Sequence, residues 1–236
     1  MRGVEMRADL LVFGPHPDDI EIGIGGTVAK HAALGHQVGL CDLTRGEMGS
    51  NGTPDERLAE AEAARVVLGA AWRENLAWPD RAIGGEDQIR QAAGLIRRVR
   101  PRAIAIPFWD DRHPDHAAAS HVLTEAVFNA RLRRYQADGD PWQAGWTCYY
   151  FINDSIQASF VVDVSAQYDV KRRALACYRS QFVRPPRSDG VATRLTSPRF
   201  MQLIESRDAQ FGALAGAAFA EGFVVKEPIV REGLLK

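Results

Sequence analysis

"ADLLVFGPHPDDIEIGIGG", residues 8–26, is the stretch whose reading decides the fold. It opens with an unbroken apolar run of strand length, 8–14, that ends in glycine. A run without polar alternation suits a strand covered on both faces, the normal state of a parallel sheet. Directly behind it come His16, Asp18, Asp19 and Glu21, with Pro17 biasing His16 toward extended backbone. A buried strand that ends in imidazole and carboxylate poses a chemical question. A second stretch, "WDDRHPDHAAAS" (109–120), bears on the answer.

Outward from this strand the chain alternates. "GTVAKHAALGH" (26–36) reads as a helix stopped by Gly35, and "QVGLCDLT" (37–44) as a second buried strand. Thr53, Pro54 and Glu56 form a capping box at the head of a helix that Gly69 terminates. "RENLAWPD" reads as a short strand, "EDQIRQAAGLIRRVRP" as a helix closed by Pro101, and "RAIAIPF" as another strand. A long helix opens at Pro114 and runs to Tyr135. Strands are expected at 147–153 and 159–165, one helix over 166–182, and one or two more over 197–223. The loop 183–198 is as well suited to contact substrate as to act as a linker. Such alternation predicts an α/β fold: a Rossmann-like, doubly wound, mostly parallel sheet with helices on both faces, built as one domain over 1–236.

Composition narrows the function. The 236 residues are 46% hydrophobic and 25% charged, with a net charge of −1. So neutral a balance gives no electrostatic case for nucleic acid or an anionic membrane. No apolar run has membrane-span length and the N-terminus lacks a cleavage pattern, so a cytoplasmic protein is expected. Cys41, Cys148 and Cys177 are scattered and form no CxxC, which argues against a disulfide framework or a thiolate zinc site. The sequon at Asn51 is then irrelevant.

In open parallel sheets, ligands collect at the carboxyl edge of the strands, where both motif stretches fall. His16 and Asp19, three apart across a bend, can converge on one point while Asp18 faces a neighbouring one. His113 and His116 flank Pro114-Asp115 at a helix start. Imidazole with carboxylate suits a divalent ion, zinc above all, and three ligands with a free fourth position make a catalytic site. A left-over carboxylate is the expected general base, and a left-over histidine the acid or oxyanion stabiliser. Spacing does not say which histidine of HPDH holds the ion. Either motif alone is more often a capped turn, and it is the pair that carries the reading. His31, His36 and His121 lack acidic partners at ligand spacing and read as surface or packing residues. "GIGGTV" (23–28) with Asp42 invites a dinucleotide reading. It fails because Val28 stands where the third glycine belongs, so Gly23, Gly25 and Gly26 are expected to serve close packing.

"PHPDD" with "HPDH" resembles the motif pair of the LmbE-like, or PIG-L, zinc deacetylases, which remove acetyl groups from N-acetylglucosamine conjugates. "CDLTRGEMGSNGT", "NLAWPDR", "YRSQF" and "AEGF" extend the resemblance over nearly the whole chain. They bring it closest to the N-acetylglucosaminyl-malate deacetylases of bacillithiol biosynthesis. The resemblance implies one zinc ion per subunit on His16, Asp19 and His116, with Asp18 as base. It further implies that His113 stabilises the tetrahedral intermediate, that Asp115 orients a histidine, and that the protein is a homo-oligomer, a hexamer. Pro15 departs from the family's usual alanine but removes no ligand. Arg57 and Arg112 are candidates for sugar hydroxyls or malate carboxylates, since guanidinium binds carboxylate bidentately. Against that, Arg57 could form a helix-surface ion pair with Glu60. Ser50 and Asn51 are candidates to line the sugar pocket. Three alternatives remain: a mycothiol-type or chitooligosaccharide deacetylase, a phosphoesterase using Glu21, Glu47 or Asp110 for a second metal, and a non-enzymatic nucleotide binder.

Overall fold

A computed structural model describes residues 6–183 and 191–230. In chain order it has β1 (Leu10–Gly14), α1 (Asp19–Ala33), β2 (Val38–Thr44), α2 (Pro54–Leu68), β3 (Trp72–Trp78), α3 (Glu86–Val99) and β4 (Ala103–Pro107). Then follow α4 (Pro114–Ala130), β5 (Trp146–Tyr150), β6 (Phe160–Asp163), α5 (Tyr168–Leu175), α6 (Arg179–Phe182), α7 (Pro198–Ala215) and β7 (Ala220–Val224). The sheet order is β3-β2-β1-β4-β5-β7-β6, and every pair is parallel except the two that β7 makes. β1 and β2 are buried at every position, as their uninterrupted apolar sequences require. Ile89, Ile96 and Leu123 of α3 and α4 pack one face, while Ile20, Val28, Leu68 and Leu175 of α1, α2 and α5 pack the other. The expected doubly wound sheet is present. None of the described helices is long and apolar enough to cross a membrane.

Three expectations need correction. The first helix begins at Asp19 rather than at Gly26, with a break at Ile24 (φ −139°, ψ 22°) inside it. A broken helix orphans amide groups at the restart. Glu221 satisfies them, accepting from Gly26 N at 2.9 Å and Thr27 N at 2.7 Å. The anion on this glycine run is therefore the protein's own carboxylate, and a Cβ on Gly23 would collide with the Tyr150 ring. Asp42, the ribose candidate of a dinucleotide reading, is likewise taken, gripped by Arg73 through two 2.7 Å bonds.

The second correction divides the single helix expected over 166–182 into α5 and α6. The third lies in 197–223, where α7 stops at Gly216 (φ 74°) and the alanine-rich remainder forms β7. Gly222 of β7 lies against the Phe211 ring, and Phe223 pairs with both Tyr150 and Phe160. Insertion between two strands overrides the helical composition of this segment. Within the loop 183–198, residues 184–190 lie outside the described residues.

Candidate active site

The sheet order reverses between β1 and β4, which pair directly through Leu10–Ala103 and Val12–Ala105. Their crossovers leave in opposite directions, opening a crevice at the carboxyl ends. His16 follows β1 into this crevice, and His113 caps α4 just after β4.

The two motif stretches meet there. Nδ1 of His16 lies 3.0 Å from Oδ2 of Asp19, and Nε2 of His116 lies 3.3 Å from the same oxygen. One donor atom each from His16, Asp19 and His116 falls within 4.8 Å of the others. The opposite ring nitrogens are also held. Nε2 of His16 faces Asp80 at 3.2 Å and Asp115 at 3.3 Å, while Nδ1 of His116 faces Asp111 at 3.0 Å. An imidazole anchored by a carboxylate on one nitrogen, with the other turned toward a shared donor cluster, is the arrangement of a metal-ligating histidine. Two imidazoles and one carboxylate form a donor set that fits zinc or a similar divalent ion. A second grouping of His16, His113 and Asp115 is less able to bind one. Arg81 already occupies both oxygens of Asp115, and Nδ1 of His113 accepts from Asp115 N.

Asp18 stands beside the cluster and outside it. Its backbone lies at φ 112°, a strained conformation for a residue with a side chain, and its carboxylate makes no capping bond to α1. Arg57 reaches it instead, donating to Asp18 Oδ2 at 3.2 Å, to Pro17 O at 2.6 Å and to Gly46 O at 3.1 Å. Burial, aided by repulsion from Asp19, outweighs that guanidinium and pushes the Asp18 carboxyl up to about 7. Burial, with His116 and His16 as neighbours, lowers the pKa of His113 and favours neutral imidazole. Since Nδ1 of His113 accepts a backbone bond, its proton resides on Nε2.

A cavity of about 220 Å³ opens over these groups, lined by His16, Asp18, Asp19, His113 and His116 among others. Ser50 and Arg112 line it. Asn51 does not. It is buried, and its amide exchanges hydrogen bonds with the main chain of Val191, midway along the 183–198 loop. Arg57 touches the cavity but is committed to Asp18 and two carbonyls, and its suggested partner Glu60 binds Ser180 instead. Asp115 contacts His16 through its carboxylate at 3.3 Å and His113 through its amide at 3.2 Å. His121, read as lacking an acidic partner, pairs with Glu125 one turn on. Glu21 is fully buried against Arg73 and Tyr178, so it is no second-metal ligand.

Asp80, Asp111 and Asn153 escaped the sequence reading. Asp111 accepts from His116, from Asn153 and from His113 N, which hold its carboxyl down at about 2 against the opposing effect of burial. The available signal was position, since Asp80 and Asp111 both follow the carboxyl end of a strand.

Residues 11–127 match the family described as PIG-L: GlcNAc-PI de-N-acetylase. The diacetylchitobiose deacetylase of Thermococcus kodakarensis is 31% identical over 73% of this chain and 70% of its own length. A Segniliparus rotundus 1D-myo-inositol 2-acetamido-2-deoxy-alpha-D-glucopyranoside deacetylase is 32% identical over 57% of this chain, which spans about half (54%) of that relative. Among solved structures, the conserved protein TT1542 of Thermus thermophilus superimposes with a TM-score of 0.87 at 38% identity, covering 97% of this chain and 99% of its own. The fold also carries other chemistry. The 4-carboxy-2-hydroxymuconate hydratase of Pseudomonas putida shares it with a TM-score of 0.79 at 23% identity, over 95% of this chain and 98% of its own. With the motif pair assembled in one crevice and these relatives alongside, the chain belongs to the PIG-L, or LmbE-like, deacetylase family.

Proposed function

We propose that this member of the family is a zinc-dependent N-deacetylase of an N-acetylglucosamine conjugate, with N-acetylglucosaminyl-malate as its substrate. The observation that carries the reading is Asp18, a buried carboxylate beside the His16–Asp19–His116 cluster, committed neither to that cluster nor to capping a helix. One ion per subunit in that cluster would supply Lewis-acid charge and acidify a water.

The chain's own residues do the remaining work. Asp18 takes the proton of the attacking water, and its raised pKa suits that task near neutral pH. The Nε2 proton of His113 faces the oxyanion that develops from the acetamide carbonyl. Protonated Asp18 then returns its proton to the sugar nitrogen, the C–N bond breaks, and acetate and an amine leave. Water has been split across one amide bond, with no net gain or loss of protons at the enzyme. Asp80, Asp111 and Asp115 keep the imidazoles in the tautomers these roles require.

Support for malate comes from the resemblance over the whole chain and from Arg112 at the cavity wall. The chitobiose and inositol relatives favour a neutral aglycone instead, and the hydratase shows that this fold does not dictate its reaction. The test is release of amine and acetate by zinc-loaded protein from N-acetylglucosaminyl-malate, diacetylchitobiose and free N-acetylglucosamine. The reading expects the malate conjugate to react fastest by kcat/KM. Faster reaction of diacetylchitobiose would replace the aglycone, and no amine from any of the three would end the deacetylase reading. We infer a homo-oligomer for the functional assembly.

A further inference from the structure

Three arginines line the cavity and a fourth, Arg194, stands between two lining residues; two of the four are spent. Arg57 holds Asp18 and two carbonyls, and Arg81 holds Asp115. The other two approach one corner from different segments. Arg112 lines the cavity with its main chain pinned by Asp154, whose Oδ2 accepts from Arg112 N at 2.6 Å. Among the described residues its guanidinium makes no hydrogen bond or ion pair. Arg194 belongs to the loop beyond α6, between Thr193 and Leu195, which both line the cavity. Its Nη1 donates to Asn153 Oδ1 at 3.0 Å, and its Cζ sits 5.3 Å from the centre of the Phe200 ring. Asn153 and Phe200 also line the cavity, so Arg194 is held at its rim, with Nε and Nη2 making no hydrogen bond among the described residues.

Carboxylates also stand near this corner, but among the described residues none forms an ion pair with Arg112 or Arg194. Burial and the nearby Arg112 both disfavour the charged form of Arg194, while Asp154 and Asp111 favour it. Asp111, however, is taken up by His116, Asn153 and the His113 amide. Two guanidiniums at one rim, with forks unspent, make a receptor for an anion with planar oxygens.

We propose that Arg112 and Arg194 form an anion subsite that receives the carboxylates of the aglycone, with Arg194 as a specificity-determining residue. This deepens the deacetylase reading and rests on it for the position of the sugar. Arg194 lies on a loop, whereas Arg112 sits one residue before the catalytic HPDH motif. The acyl centre and the aglycone are thus gripped by separate parts of the chain.

The test compares wild type with Arg194→Gln and Arg194→Lys, all zinc-loaded, in two measurements. Kinetics on N-acetylglucosaminyl-malate and diacetylchitobiose give the specificity ratio. Calorimetry with L-malate gives anion binding independently of turnover. For Arg194→Gln we expect the ratio to fall at least about tenfold, carried by KM of the malate conjugate, as loss of a charge-assisted bond implies. We expect L-malate binding to weaken by a similar factor and Arg194→Lys to recover part of it. An equal loss on both substrates would make Arg194 a support for Asn153 and overturn the proposal, as would L-malate binding that ignores the substitution. Arginine-dependent malate binding without any deacetylation would keep the subsite and discard the reaction assigned above.

Discussion

Asp111 Oδ1 stands 3.0 Å from Nδ1 of His116, and that contact leaves Nε2 of the same ring to face Asp19. A carboxylate five residues upstream thereby selects the tautomer of the imidazole. Asp111→Asn keeps the shape but weakens the anchor. Metal affinity should fall on the order of 10- to 100-fold, read by competition against a chelator. Far-ultraviolet circular dichroism should stay unchanged. Unaltered affinity would mean that the contact is incidental.

The two histidines of HPDH should separate by experiment. His116→Ala removes a donor from the cluster and should lose most of the bound zinc. His113→Ala removes no member of the His16–Asp19–His116 set and should retain the ion while losing turnover. Full metal content in both variants would refute the ligand set.

Asp18→Asn preserves size and leaves His16 and Asp19 in place. An amide accepts no proton near neutral pH, so kcat should drop on the order of 10²- to 10⁴-fold with KM little changed. Zinc stoichiometry on the same preparation distinguishes a base from a ligand. A variant that loses its zinc would show the two roles exchanged.

The pH profile tests the balance between burial and Arg57. Burial raises the Asp18 pKa and Arg57 lowers it, with the carboxyl placed at about 7. A base must be deprotonated, so kcat/KM should fall below that pKa and level off above it. A bound cation draws the limb to or below 7. Arg57→Gln removes the lowering influence and should move the limb to higher pH. An unmoved limb would show that Arg57 serves the backbone carbonyls alone.

Much of this site could be read from residue order. An apolar run followed by PHPDD, and another by RHPDH, located the crevice because strand ends are where a doubly wound sheet leaves space. The residues that complete it were not legible in the same way. Asp80 reaches His16 from 64 positions away, in a stretch (NLAWPDR) that carried the resemblance but no chemical assignment, and Asn153 reaches Asp111 from 42 with no motif around it. Arg57 could be read as a substrate contact or as a helix-surface ion pair with Glu60, and not as the buried partner of Asp18. It is 5% exposed because the glycine at 46 lets the chain close over it. β7 was misread for a related reason: a strand slotted between two others takes its conformation from partners far away in sequence.

That slot bears on how the chain is made. Among the described residues β6 pairs with the sheet through β7 alone, and the carboxylate that completes the break in α1 also comes from β7. On a ribosome, β1 to β5 can associate as they emerge, while β6 waits and the broken helix keeps two amides in water. Synthesis of the last strand closes both at once. The helix that opens at Asp19 is therefore completed by a residue some two hundred positions later, and a nascent chain stalled before Glu221 would leave its break unsatisfied and β6 without a strand partner.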